Sequence, residues 1–132
     1  MAITANELRI GNYVLDGNDT LTQVVSIVDG AINYELDYGN LWTNKECYFE
    51  NLNGIPITEK LLSTLGFVLR GFYYHFPNHE IFKLEQYKLN NAYFLRHGNE
   101  SLDSVRINYV HQLQNLYFAL TGKELTYGNN PN

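Results

Sequence analysis

Ile55-Pro56-Ile57-Thr58-Glu59-Lys60-Leu61-Leu62-Ser63-Thr64-Leu65-Gly66-Phe67 divides the chain into two regimes, and its reading decides the fold. Proline holds the residue before it in extended backbone, Thr58 has the side chain of a helix N-cap, and Ile57 and Leu62 occupy the two positions of a hydrophobic staple. The spacing predicts a helix of about two turns with Leu61, Leu62 and Leu65 on its apolar face. Gly66 stands at the C′ position, where positive φ is needed, and Phe67 is placed to fold back on Leu62 as in a Schellman ending.

On both sides of this connector the pattern is that of strands. Between residues 12 and 50 no helical periodicity occurs. Tyr13-Val14-Leu15 runs into the turn signal Asp16-Gly17-Asn18-Asp19, and residues 21–28 are rich in β-branched side chains. Asp29-Gly30 is a hairpin signal, and Ile32, Tyr34 and Leu36 repeat at period two. A turn at Asp37-Tyr38-Gly39-Asn40 leads to short strands at 41–42 and 46–49. Short strands at this spacing suggest a small SH3-like β-barrel or meander. After the connector, residues 67–76, 79–87 and 92–97 read as three strands, separated by Pro77-Asn78 and Asn90-Asn91, with 102–107 as a fourth.

The strongest helix comes last. Asn108 is placed as N-cap and Gly122 as C′ terminator, and Tyr109, Leu113, Leu116, Tyr117 and Leu120 fall within one apolar stripe that should lie on the sheet. The opposite side gathers His111, Asn115 and Phe118, flanked by Gln112 and Gln114. A polar face with an aromatic at its centre is a contact surface, either for another piece of this chain or for a partner subunit. The opening Ile3-Thr4-Ala5-Asn6-Glu7-Leu8 has the form of a capping box, with Thr4 as N-cap, and Gly11 breaks the turn that follows. The fold class expected is therefore α+β. Residues 1–54 form a β-rich, barrel-like half, and 55–132 supply the connector helix, a second antiparallel strand set and a C-terminal helix packed on the sheet, all within one compact domain.

Three segments together carry a resemblance. Thr4-Ala5-Asn6-Glu7-Leu8-Arg9-Ile10-Gly11-Asn12-Tyr13-Val14, the connector with Leu61-Leu62 and Leu65-Gly66-Phe67, and the run from Tyr109-Val110-His111-Gln112-Leu113-Gln114-Asn115 to Gly122-Lys123-Glu124-Leu125 resemble a family of small proteins from phages and integrated mobile elements of Bacteroides-type gut bacteria. The resemblance covers both ends and the middle and carries nothing over to the strands between. It implies a mobile-element origin and a bacterial host cytoplasm as the setting, and it names no activity.

Composition narrows the function classes. The chain has 132 residues, 45% apolar and 17% charged, too hydrophobic and too weakly charged for intrinsic disorder. No apolar run approaches the ~18 residues that span a bilayer, so no membrane partner is expected. Nine Lys and Arg against fourteen Asp and Glu give a net charge of −5, which opposes general binding to duplex DNA. The single Cys47 excludes an internal disulfide framework and any multi-cysteine zinc site. Eleven of the nineteen aromatic residues are Tyr, and with the many Asn side chains they offer rigid contact area beside adaptable hydrogen bonds.

Catalytic motifs are missing: there is no Walker loop, nucleophile elbow or dinucleotide-binding glycine pattern. The cluster His75-Phe76-Pro77-Asn78-His79-Glu80 would need another ligand to hold a metal, and Pro77 prevents helical presentation. We expect no catalytic residues, no metal and no cofactor. Ligand stacking is the better chemical opportunity, because aromatic rings take bases and arginines pair with phosphates as bidentate donors. Trp42, Tyr38, Tyr73, Arg70, Arg96 and Arg106 are the candidate ligand-binding residues, and His111, Asn115 and Phe118 the candidate interface. The expected function is non-catalytic capture of a nucleotide-type host signalling molecule by a homo-oligomer, as a counter-defence. The alternative is a protein-interaction module that inhibits or adapts a host protein.

Overall fold

Thr58 caps helix α1 (Glu59–Thr64): its hydroxyl accepts from the Leu61 amide at 3.1 Å, as the sequence predicts. The helix closes in a full Schellman motif, with the Phe67 amide donating to the Leu62 carbonyl at 2.9 Å and the Gly66 amide to Ser63 at 3.1 Å. Gly66 adopts φ +97°, a conformation that disfavours any residue with a Cβ. The computed structural model describes residues 3, 7–28, 31–38, 41–77, 81–87, 92–98 and 100–125, with backbone alone for 28, 32–38, 41–46, 87 and 101–104. Thr4 lies outside the described residues. No helix among them is long and apolar enough to cross a membrane.

The chain forms two compact units. The first comprises Met1–Pro56 and Tyr109–Leu116, and the second Ile57–Asn108 and Tyr117–Asn132. In the first unit β1 (Tyr13–Leu15) pairs with β2 (Leu21–Gln23), while β3 (Ser26–Val28), β4 (Ala31–Tyr38) and β5 (Leu41–Tyr48) form a separate three-stranded antiparallel sheet. Residues 21–28, expected as one strand, are thus split between two sheets. The break falls at Val24, which is buried and turns its backbone to Gly11 and Asn12 through hydrogen bonds of 2.8 and 2.9 Å. Conversely, β4 and β5 run unbroken through Asp37, Tyr38 and the expected gap at 43–45, with Asp37 opposite Trp42. Among the described residues no strand pairing closes these sheets into an SH3-like barrel. Ile3, Leu8, Val14, Val24, Cys47 and Leu52 form the core of this unit, with Phe49 against it.

In the second unit α1 leads into a five-stranded antiparallel meander: β6 (Val68–Arg70), β7 (Tyr73–His75), β8 (Phe82–Tyr87), β9 (Ala92–His97) and β10 (Glu100–Ile107), with neighbours in chain order. Residues 67–76, expected as a single strand, are a hairpin. Arg70 pairs with Tyr73, and the two-residue loop has positive φ at Gly71 alone, +66°, the pattern of a type II′ turn. One face of the sheet carries the core, with Tyr74, Leu84, Tyr93, Leu95 and Ile107 all buried. Tyr74 and Tyr93 meet edge to face at 6.1 Å, and Phe76 packs against Phe67, Phe82 and Tyr117. Tyr117 belongs to helix α2 (Val110–Thr121) and donates its hydroxyl to the Pro77 carbonyl at 3.2 Å. The helix ends at Gly122, φ +74°, whose amide donates to Phe118. The chain is therefore α+β, with antiparallel sheets and two α-helices among the described residues.

Candidate functional site

Strand pairing decides which side chains share a face, because residues directly opposite one another project to the same side. Two rows cross the sheet of the second unit, and a register shift in β10 between Leu102 and Arg106 separates them on that strand. The first is Arg70, Tyr73, Glu85, Phe94 and Arg106, each paired with the next. The second is Val68, His75, Lys83 and Arg96, with the backbone of Ser101 opposite Arg96. Both rows lie on the side opposite Tyr74, Leu84, Tyr93 and Leu95. Arg70 and Arg106 are exposed, and Tyr73, His75, Lys83, Glu85, Phe94 and Arg96 are half-buried.

The electrostatics of this face run against those of the chain as a whole. Among the described side chains of these rows, Arg70, Lys83, Arg96 and Arg106 stand against one carboxylate, Glu85, on a protein whose net charge is −5. Three of the four arginines in the sequence are here. Arg96 is held in place from two sides: its Nη1 donates to Glu85 Oε1 at 3.0 Å, and its guanidinium carbon lies 5.0 Å from the centre of the Tyr73 ring. Lys83 Nζ lies 4.6 Å from the same ring. Tyr73 therefore orients two cations. The pKa of His75 is lowered by its burial first, and then by Lys83 and Arg70, so the imidazole on this face is neutral near pH 7. At the hairpin tip beside Arg70, Phe72 is 84% exposed.

No protein-family model, curated protein or solved structure matches this chain. What the face can do is therefore read from its own chemistry. Forked guanidinium donors at both margins, an ammonium between them and aromatic rings alongside suit an anionic ligand with flat apolar parts.

The six candidate ligand-binding residues divide. Arg70, Tyr73, Arg96 and Arg106 come together on this one face, whereas Tyr38 and Trp42 belong to β4 and β5 of the first unit, with side chains outside the described residues. The hairpin tip with Phe72 was hidden in what reads as one aromatic strand. An isolated glycine inside a strand pattern, Gly71, is the signal that marks it.

The candidate interface is corrected in part. His111 and Gln114 are fully buried, and the polar face of α2 is occupied by residues 7–13 of the same unit. Gln114 Oε1 accepts from the Tyr13 amide at 2.7 Å, and its Nε2 donates to the Gly11 carbonyl at 3.1 Å, so the side-chain amide pairs with backbone as a strand would. Asn115 Oδ1 accepts from Arg9 Nε and Asn12 Nδ2, both at 2.9 Å, and its Nδ2 donates to the Glu7 carbonyl at 2.7 Å. His111 Nε2 lies 3.6 Å from Glu7 Oε1, and its ring stacks on Tyr109. His111 and Asn115 thus meet this chain's own N-terminal segment, and Phe118 alone of the three is exposed, at 41%. At the helix start, Gln112 Oε1 accepts from the Tyr109 amide at 3.1 Å, the reciprocal half of a capping box, so Tyr109 rather than Asn108 is the cap.

Among the described residues no group of three or more His, Cys, Asp or Glu side chains is placed to hold a metal ion. His79 of the sequence cluster lies outside them. Cys47 is buried in the first unit, and burial pushes its thiol pKa up, which disfavours the thiolate a nucleophile needs.

Proposed function

We propose that the exposed sheet face of the second unit is a non-catalytic binding surface for a nucleotide-type ligand, with Arg70, Arg96 and Arg106 meeting phosphate and the aromatic side chains meeting bases. The observation that carries this reading is the alignment of three arginines and a lysine in two rows on one face of an acidic chain. Glu85 and Tyr73 fix Arg96 before any ligand arrives, which lowers the ordering cost of binding. The resemblance to mobile-element proteins supports a bacterial cytoplasm as the setting and capture of a host nucleotide signal as the purpose.

The test is calorimetric titration of the purified chain with a panel of linear and cyclic nucleotides, repeated on Arg70→Ala and Arg106→Ala. Both arginines are exposed, so the variants keep the fold and should lose tenfold or more in affinity. Binding that is unchanged in both variants, or no binding across the panel, rejects the proposal. A second reading, attachment to a host protein, is favoured by the apolar margin of the same sheet. Terminal strand β6 exposes Val68 and Leu69, and Phe72 follows at its turn, a row of the kind that takes an added strand. Leu69→Ser, on the side of β6 opposite the arginine rows, would then abolish capture of one defined host protein and leave nucleotide affinity intact.

A further inference from the structure

We infer that the ligand of this face is a short single strand of nucleic acid, about four nucleotides long, held across the strands from β6 to β10. The inference rests on the nucleotide-type reading above and sharpens it from a ligand chemistry to a ligand length.

Span is the first argument. Arg70 and Arg106 end the same row on the two outermost strands of the sheet. Four inter-strand steps of ~4.8 Å put them about 19 Å apart along the row. One guanidinium engages one phosphate, and a mononucleotide cannot reach both margins. A stacked helical strand carries a phosphate every ~3.4 Å of its axis, whereas an extended one spaces them by about 6 Å, so three steps, or about four nucleotides, of extended single strand span that row.

The order of the side chains is the second argument. From one margin to the other the cations follow as Arg70 on β6, Lys83 on β8, Arg96 on β9 and Arg106 on β10, so positive charge forms a track across the sheet rather than a single cluster. Aromatic side chains accompany the track, with Phe72 exposed at the Arg70 end and Tyr73 and Phe94 within the first row. Alternating charge and ring suits a ligand that presents a phosphate and a base in each repeat. A duplex hides its base faces and relies on many phosphate contacts, which four cations on a chain of net charge −5 do not supply.

The experiment is fluorescence anisotropy with the full chain and labelled oligo-U and oligo-dT of one, two, four and eight nucleotides, at several salt concentrations. Affinity should rise at least a hundredfold from one nucleotide to four and level off by eight. With three phosphates engaged, the plot of log K against log salt for the tetramer should slope at about −2, and Arg70→Ala or Arg106→Ala should each reduce that slope by about 0.7. Phe72→Ala should weaken the tetramer about tenfold with the slope unchanged, which separates stacking from charge. The ribose and deoxyribose series together show which sugar the face accepts. A mononucleotide that binds as tightly as the tetramer through the same arginines overturns the inference and leaves the nucleotide reading intact. So does a duplex that binds as tightly as the single strand. No binding at any length overturns both.

Discussion

Replacing Gln114 by leucine tests the claim that residues 7–13 are held to the helix by side-chain amides rather than by apolar packing. Gln114 is fully buried and serves three groups: the Tyr13 amide at 2.7 Å, the Gly11 carbonyl at 3.1 Å and Asn12 Nδ2 at 3.4 Å. The losses are unequal. The Gly11 carbonyl keeps a donor in Gln23 Nε2 at 3.2 Å, and Asn12 Nδ2 keeps Asn115, so the Tyr13 N–H bears the main cost. Taking the acceptor at 2.7 Å from a partly buried donor costs ~1–3 kcal/mol, and the weakened neighbours bring the total to about 2–4 kcal/mol. For a chain of this size 1 kcal/mol moves Tm by roughly 3–4 °C, so Gln114→Leu should melt about 10 °C lower. Urea unfolding followed by circular dichroism gives the free energy, and hydrogen exchange at the Tyr13 amide gives the local effect. The matched control is Gln112→Leu, which removes the capping bond to Tyr109 and should cost only about 1 kcal/mol. A Gln114→Leu protein within 0.5 kcal/mol of wild type, with Tyr13 still protected, would refute the reasoning, on the ~1–3 kcal/mol scale of an unsatisfied donor.

The remaining predictions concern three other positions. A Cβ at Gly54 would sit 2.6 Å from Cγ of Tyr109, so Gly54→Ala should destabilise by about 1–3 kcal/mol, and a Tyr109→Ala background should remove most of that cost; equal costs in both backgrounds would show that the ring is not the obstacle. The pKa of His111 is lowered by its burial, against the upward pull of the Glu7 carboxylate. Its folded value lies below the unfolded one near 6.5, so this contribution to stability is present above that pH and is lost as pH falls through the folded value. His111→Gln should flatten part of the decline in urea midpoint below pH 6.5, with His75 supplying a residue of the same sign, and an unchanged pH slope would exclude a neutral buried imidazole. If Phe118 packs against a second copy, Phe118→Asp should convert an oligomer to monomers in native mass spectrometry, and an unchanged mass would end that proposal.

Local grammar was legible and long-range pairing was not. Thr58, Gly66 and Gly122 act within a few residues of themselves, and their capping roles follow from side-chain chemistry and permitted φ. The polar face of α2 was equally plain in its periodicity, yet its partner lies more than 100 residues away, where no local pattern reaches it. Short strands at regular spacing likewise do not say which sheet each one joins: Val24 moves the chain from one sheet to another, and among the described residues no pairing closes them into a barrel. For the candidate site, residue type singled out Arg70, Tyr73, Arg96 and Arg106, but only register puts them on one side. A slip of one residue in any strand would turn its member into the core. Tyr38 and Trp42 were chosen on the same grounds and sit in a different unit.

The bond between residues 7–13 and the helix beginning at Val110 has a consequence for how the protein is made. Asn12 and Tyr13 are separated from their partners in Gln114 and Asn115 by 101 to 103 residues. At a synthesis rate of roughly 5–20 residues per second, that interval is on the order of 5–20 s. The five-stranded meander is complete at Ile107, before the helix exists. The five strands that carry the arginines are thus all translated before the first unit receives its helix, so that unit, although begun first, cannot close until Leu116 has been made.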